Sequence, residues 1–270
     1  MRSLLRGLAL LAAVASLGVP LASQALVISG ASSAFDATID VSVSGPIVNA
    51  SLSQGPFSSV SGSAPPPYDL SDALIPFNFS IDGLTVSGAK LFAEASSDVD
   101  GSSGAKTTDA SGGLETVSIT FVKNSITLFD LDITILTASA SVTGDYGSLV
   151  ASGSADILDA NLYVWGYSPW YYGYGSPAPN TVLVDNGVVR IVLNEQVVDC
   201  SGPVAGVDTC SISVNAVHLE VDGTILLHDV VKDLIIGHAQ ATMTAVIPEP
   251  GVALLLGAGL LLLVTRRHSA

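Results

Sequence analysis

Basic residues are scarce in this sequence of 270 residues: nine Lys and Arg stand against 24 Asp and Glu, a formal charge of -15. That balance excludes a nucleic-acid binder, because such a surface repels phosphates instead of releasing their counterions. Charge of either sign is thin, at 12% against 49% hydrophobic residues, which argues against charge-driven disorder and is unusual for a cytoplasmic enzyme. Cysteine occurs only at Cys200 and Cys210, so there is no Cys-x-x-Cys pair for redox or metal chemistry. Also missing are a Gly-x-Ser-x-Gly elbow, a Gly-rich phosphate loop leading into a helix and a His-Glu-x-x-His site. Between the terminal segments no apolar stripe of period 3.6 lasts three turns, which leaves helices at most a minor part.

Much of the hydrophobicity sits at the two ends. Met1 to Arg6 carries two positive charges, Gly7 to Leu21 is mostly apolar, and Ser23 and Ala25 form a small-x-small site. The pattern predicts a signal peptide over residues 1–25, cleaved after Ala25. At the other end Pro248-Glu249-Pro250 precedes an apolar run from Gly251 to Val264, followed by the basic pair Arg266 and Arg267. As a helix this run rises about 21 Å against a hydrocarbon core of about 30 Å, which suits a transient hold better than a permanent span. The Arg pair favours the cytoplasmic side and leaves residues 26–247 outside that membrane. Those residues hold five bases against 23 acids, a formal -18.

The tail, with its Pro-Glu-Pro, short Gly- and Leu-rich span and terminal Arg pair, resembles the PEP-CTERM protein-sorting domain of Gram-negative bacteria. The resemblance implies a partner, an exosortase-type membrane enzyme that processes residues 248–270. It also implies delivery to the cell surface or an extracellular matrix, often in species that export polysaccharide.

The body reads as all-β. Val117 to Phe121 and Ile39 to Ser44 alternate with period two, Ile133, Ile135 and Thr137 share one parity, and Val189 to Leu193 is rich in β-branched residues. Asp82-Gly83, Asn186-Gly187 and Asp222-Gly223 supply candidate tight turns. Ser61 to Pro67 and Ser96 to Gly113 read as loops. About ten strands of five to eight residues, undivided by a long linker, fit one large antiparallel β-sandwich or an elongated β-sheet domain. With its acidic Ser- and Ala-rich composition, Cys200 and Cys210, Ser213 to His218 and Gly237-His238-Ala239, the body resembles the choice-of-anchor group of bacterial surface proteins. That resemblance implies a secreted body with alternative C-terminal anchors and brings no catalytic residues.

Four constellations could carry chemistry. Cys200 and Cys210, between two apparent strands of an exported segment, are expected to form a disulfide, worth roughly 3 kcal/mol by loop closure. Leu162 to Tyr174 holds both Trp and five of the seven Tyr. Trp165, Tyr167, Trp170, Tyr171, Tyr172 and Tyr174 therefore form either a loop that packs on a glycan or protein partner, or an aromatic cover over one end of the sheet. Asp98 to Ser102 with Asp109 offers hard oxygen ligands, but Ser103 and Asp109 occupy the positions where a helix-loop-helix calcium site needs Gly and Glu, so a solvated loop is expected. His218, His228 and His238 recur every ten residues near Glu220 and Asp229 without a compact ligand motif, and Asp130 and Asp132 share one strand face.

The reading is a noncatalytic exported protein, structural or adhesive, in the cell envelope or exopolysaccharide matrix. It has no expected metal or cofactor. Its rival is a secreted carbohydrate-active enzyme, which requires a concave cleft lined by two carboxylates near the 162–174 loop.

Overall fold

The computed structural model describes residues 25–247 except 45–48, 75, 82–83, 124, 165–168, 186, 188 and 226–227. Outside these lie the expected signal peptide apart from Ala25, the sorting segment 248–270, the Asp82-Gly83 turn, Asn186, Trp165 and Tyr167. No helix among the described residues is long and apolar enough to cross a membrane.

Among the described residues fourteen strands follow one another: β1 (Leu26–Ser44), β2 (Asn49–Gln54), β3 (Ser59–Ala64), β4 (Tyr68–Leu74), β5 (Phe77–Ile81), β6 (Leu84–Ser97) and β7 (Lys106–Lys123), then β8 (Ile126–Gly144), β9 (Val150–Val164), β10 (Trp170–Tyr172), β11 (Thr181–Asp185), β12 (Val189–Cys200), β13 (Val207–Ile225) and β14 (His228–Val246). They build two antiparallel sheets, packed as a sandwich. Sheet one runs β11-β12-β13-β14-β1, with β2 and β3 sharing the outer edge of β1. Sheet two runs β10-β9-β8-β7-β6, with β4 and β5 sharing the outer edge of β6. The chain meanders from neighbour to neighbour and crosses between sheets twice, at Pro65 to Pro67 and between β10 and β11. Its first and last strands then pair, Leu26 opposite Val246.

The expected sandwich is present, with more and longer strands than expected: β1, β8, β13 and β14 each have 19 residues. Asp222-Gly223 does not turn. β13 continues to Ile225 because Thr224 and Ile225 extend the alternation and pair with Asp229 and His228. The loop expected over Ser96 to Gly113 shrinks to residues 98–105, and Lys106 onward is strand. There the inward residues are Thr108, Ala110 and Gly112, too small to contrast with outward Thr107, Asp109 and Ser111. For the same reason Ser61 to Ala64 belongs to β3, leaving only the prolines as connection.

A single line of irregularities crosses both sheets. Pairing skips Lys90 and Glu115 between β6 and β7, residues 115–116 and 134–135 between β7 and β8, and Thr134 and Asp159 between β8 and β9. In sheet one it skips Asn194, Ala216, Gly237 and Asp36. Lys90, Asp159, Asn194 and Gly237 have φ between 44° and 64°. Equal numbers of residues are skipped on the two strands of each pair, so the register is kept while the inward parity changes at each. Ile133 and Leu136 are therefore buried while Ile135 is 41% exposed, correcting the shared parity expected of Ile133 and Ile135.

The line divides the core. On the side of the described termini buried alanines such as Ala34, Ala93, Ala110, Ala140, Ala155 and Ala241 sit among larger side chains, Leu91, Leu114, Ile212 and Met243. Beyond the line it is aliphatic, with Leu131, Ile133, Leu162, Ile191, Leu219 and Leu234. Each such large side chain contributes roughly 2 kcal/mol on burial. At Gly112 the two sheets nearly touch, since a Cβ there would stand 2.5 Å from the carbonyl oxygens of Phe35 and His238.

Candidate functional site

The aromatic segment occupies the free edge of sheet two, at the end away from Leu26 and Val246. β10 pairs with β9 through Trp170 with Leu162, Tyr171 with Asn161 and Tyr172 with Ala160. Gly173 and the Gly175 bridge to Ile157 keep this strand to three residues. Tyr172 turns inward and packs on the core. Tyr171 is 62% exposed and Tyr174 84% exposed. The Tyr171 hydroxyl donates to Asp159 Oδ1 at 2.6 Å. That bond, with the carboxylate charge behind it, holds the phenol above its ordinary pKa. The segment thus combines one covering ring with two presented ones, and Asp159 fixes Tyr171 from the line of irregularities.

Sheet two also carries a concave trough on its outer face, with a volume of about 470 Å³. Strand period places alternate residues here, and register sets them in rungs. Glu94 lies opposite Ser111, Ser111 opposite Ser139, and Ser139 opposite Ser154. In the next rung Ser96, Asp109, Ser141 and Ser152 follow in the same way. Backbone at Ala110, Ala140 and Gly153 forms the floor, because the Ala side chains point into the core. Among the described residues no Lys or Arg lines the trough. These hydroxyls were hidden in the sequence among many other serines, and only the pairing register brings them together.

The outer face of sheet one holds a polar chain at the line of irregularities. His238 stacks on Phe35 with centroids 4.3 Å apart, and its Nδ1 donates to Asn215 Oδ1 at 2.6 Å. Asn215 Nδ2 donates to Glu195 Oε2, which also lies 2.8 Å from His218 Nδ1. His218 Nε2 stands 3.0 Å from Asp233 Oδ1, while Glu220 pairs with Arg190 at 2.8 Å. Burial lowers the pKa of His238 to about 4. The ten-residue spacing does not gather His218 and His238 into one ligand set, because His238 faces Asn215 while His218 faces Ile235. The side chain of His228 lies outside the described residues.

In the acidic loop, Asp98 accepts from Thr107 N, and Asp100 accepts from Ser102 N, Ser102 Oγ and Lys106 Nζ. The Lys106 contact, then the Ser102 donors, hold Asp100 well below the usual carboxylate range. Among the described residues no group of three His, Cys, Asp or Glu is placed to hold a metal ion. Asp130 and Asp132 stand on one outer face of β8, and Asp130 accepts from Thr120 Oγ1 at 2.8 Å. Cys200 and Cys210 sit opposite each other on β12 and β13 with their sulfurs bonded.

Compared with known proteins, the chain matches no family model, no curated sequence and no solved structure.

Proposed function

We propose that this is an exported, noncatalytic surface or extracellular-matrix protein with a structural or adhesive part, held at the membrane by residues 248–270 until an exosortase-type enzyme processes them. The observation that carries the reading is the opposition of the two ends. Leu26 and Val246 pair at one end, and Ile247 N bonds Gly206 O beside them, so both apolar terminal segments leave from there. The same end holds Val150, through the Gly147 bond to Asp208. From Val150 to Asn161, where Tyr171 pairs, β9 covers about 35 Å. A tail held in a membrane would therefore present Tyr171 and Tyr174 on the far side, where an exopolysaccharide or a surface protein can reach them.

Fractionation of producing cells tests delivery. The full chain is expected at the surface and a chain lacking 248–270 in the medium, with surface protein shortened near Pro248. An intact mass ending at Ala270 on surface protein would overturn the processing step.

One observation favours the rival reading of a carbohydrate-active enzyme. Glu94 and Asp109 line the same trough from neighbouring strands, diagonally related in register, a separation of about 7 Å that is compatible with paired-carboxylate chemistry. Release of reducing sugar from the producer's polysaccharide, lost in Glu94→Gln, would replace the noncatalytic reading.

A further inference from the structure

We infer that the trough on sheet two binds a neutral polysaccharide lying across the strands, a binding site separate from the aromatic edge; this rests on the adhesive reading above and gives it a ligand class. Its first rung extends over five strands, since Ser71 of β4 lies opposite Glu94 and the row continues through Ser111, Ser139 and Ser154. Neighbouring strands are about 4.8 Å apart, close to the advance of one hexose along an extended glycan. A chain of sugars crossing the sheet would thus meet one hydroxyl or carboxylate per unit without bending. Serine can donate and accept, and the carboxylates of Glu94 and Asp109 accept from vicinal sugar hydroxyls.

The charge decides between classes of glycan. Asp69, Asp98 and Asp109 stand together at one margin, and the nearby Lys106 is taken by Asp100. An acidic polymer would be repelled along its length, whereas a neutral one loses nothing to the field. At the opposite margin Asp156 accepts from Ser176 one rung beyond Ser154, and Tyr174 follows two residues away on the same connection.

The test is calorimetric titration of the full chain in mild detergent with a soluble neutral β-glucan, beside alginate as the acidic polymer and chitosan oligosaccharide as the cationic one. Saturable binding of the neutral glucan is expected, little affected by salt. Ser139→Tyr, which fills the trough from a solvent-facing position, should weaken it roughly tenfold or more, about 1.4 kcal/mol, with the melting temperature unchanged. Ser141→Ala should keep the melting temperature and lower affinity more mildly, by roughly twofold to fivefold. Absence of neutral-glucan binding would overturn the inference, and delivery would still stand or fall on fractionation. Binding of chitosan alone, abolished by salt, would reduce the trough to an ion-exchange surface. If Tyr171→Ala abolishes binding while Ser139→Tyr leaves it intact, the aromatic edge and not the trough is the site.

Discussion

At the scale of single residues, two polar groups, one buried and one on the outer face of sheet one, do more for the fold than their number implies. Asp36 is fully buried and accepts from the backbone N–H groups of Ala37, Phe57 and Ser58 at 2.6 to 3.1 Å. It thereby fastens the connection between β2 and β3 onto β1, although burial pushes its carboxyl above the usual range against those donors. Asp36→Ala would leave three donors without an acceptor, and a loss of about 3 kcal/mol or more is expected in urea unfolding. A loss below about 1 kcal/mol would mean that water replaces the carboxylate. His238 gives a pH dependence of definite sign. Its folded pKa of about 4 lies below the ordinary 6.5, so between these values the unfolded chain takes up a proton that the folded chain refuses. Its contribution is complete above pH 6.5 and declines as pH falls through the folded value, by at most about 3 kcal/mol. His238→Gln keeps an amide donor for Asn215 but no titration, so its stability should change less between pH 7 and pH 4 than that of the native chain. Equal slopes would remove His238 as the cause.

At the scale of elements, the line of irregularities governs what each strand presents. Without it Ile135 would be buried with Ile133, and Asp159 would not reach Tyr171. Close approach of the sheets beside this line depends on Gly112, whose missing side chain admits the carbonyls of Phe35 and His238. Gly112→Val must separate β7 from β1 and β14, and a cost of roughly 1–3 kcal/mol or more is expected in thermal or urea unfolding. An unchanged midpoint would show that the sheets can part there freely. This line also explains how much of the fold was legible. Strands with large aliphatic residues, such as Val117 to Thr120, showed their alternation in sequence, and the sheet keeps it. Strands filled with Ala, Gly and Ser, such as Lys106 to Gly113, read as loops because their inward and outward residues differ little in hydropathy. The parity change could not be read because αL positions fall on Lys90, Asp159 and Asn194, of which Lys gives no turn signal. The aromatic edge was legible from local clustering. The trough and the chain from His238 to Asp233 were not, since their residues come together only through the register of distant strands.

At the scale of the whole molecule, closure depends on one long-range pairing. Most strands pair with a neighbour in sequence, β3 and β4 pair one strand further away, with β1 and β6, and β14 must insert between β13 and β1, the latter from the far end of the chain. Such non-local pairing has a large loop-closure cost before it is rewarded, so folding in milliseconds to seconds is expected, not microseconds. The same topology separates two truncations that look alike on paper. A chain ending at Ile247 retains every described pair, and it should melt cooperatively within a few degrees of the full chain. A chain ending at Ile225 loses β14, exposes long edges on both β13 and β1, and uncovers the core against which Leu234, Ile236, Ala241 and Met243 were buried. It should show no cooperative transition by circular dichroism and should associate with itself through those edges. Cooperative melting of the shorter chain near the native temperature would place the closure elsewhere. It would also remove the reason for the two apolar ends to leave the sandwich side by side.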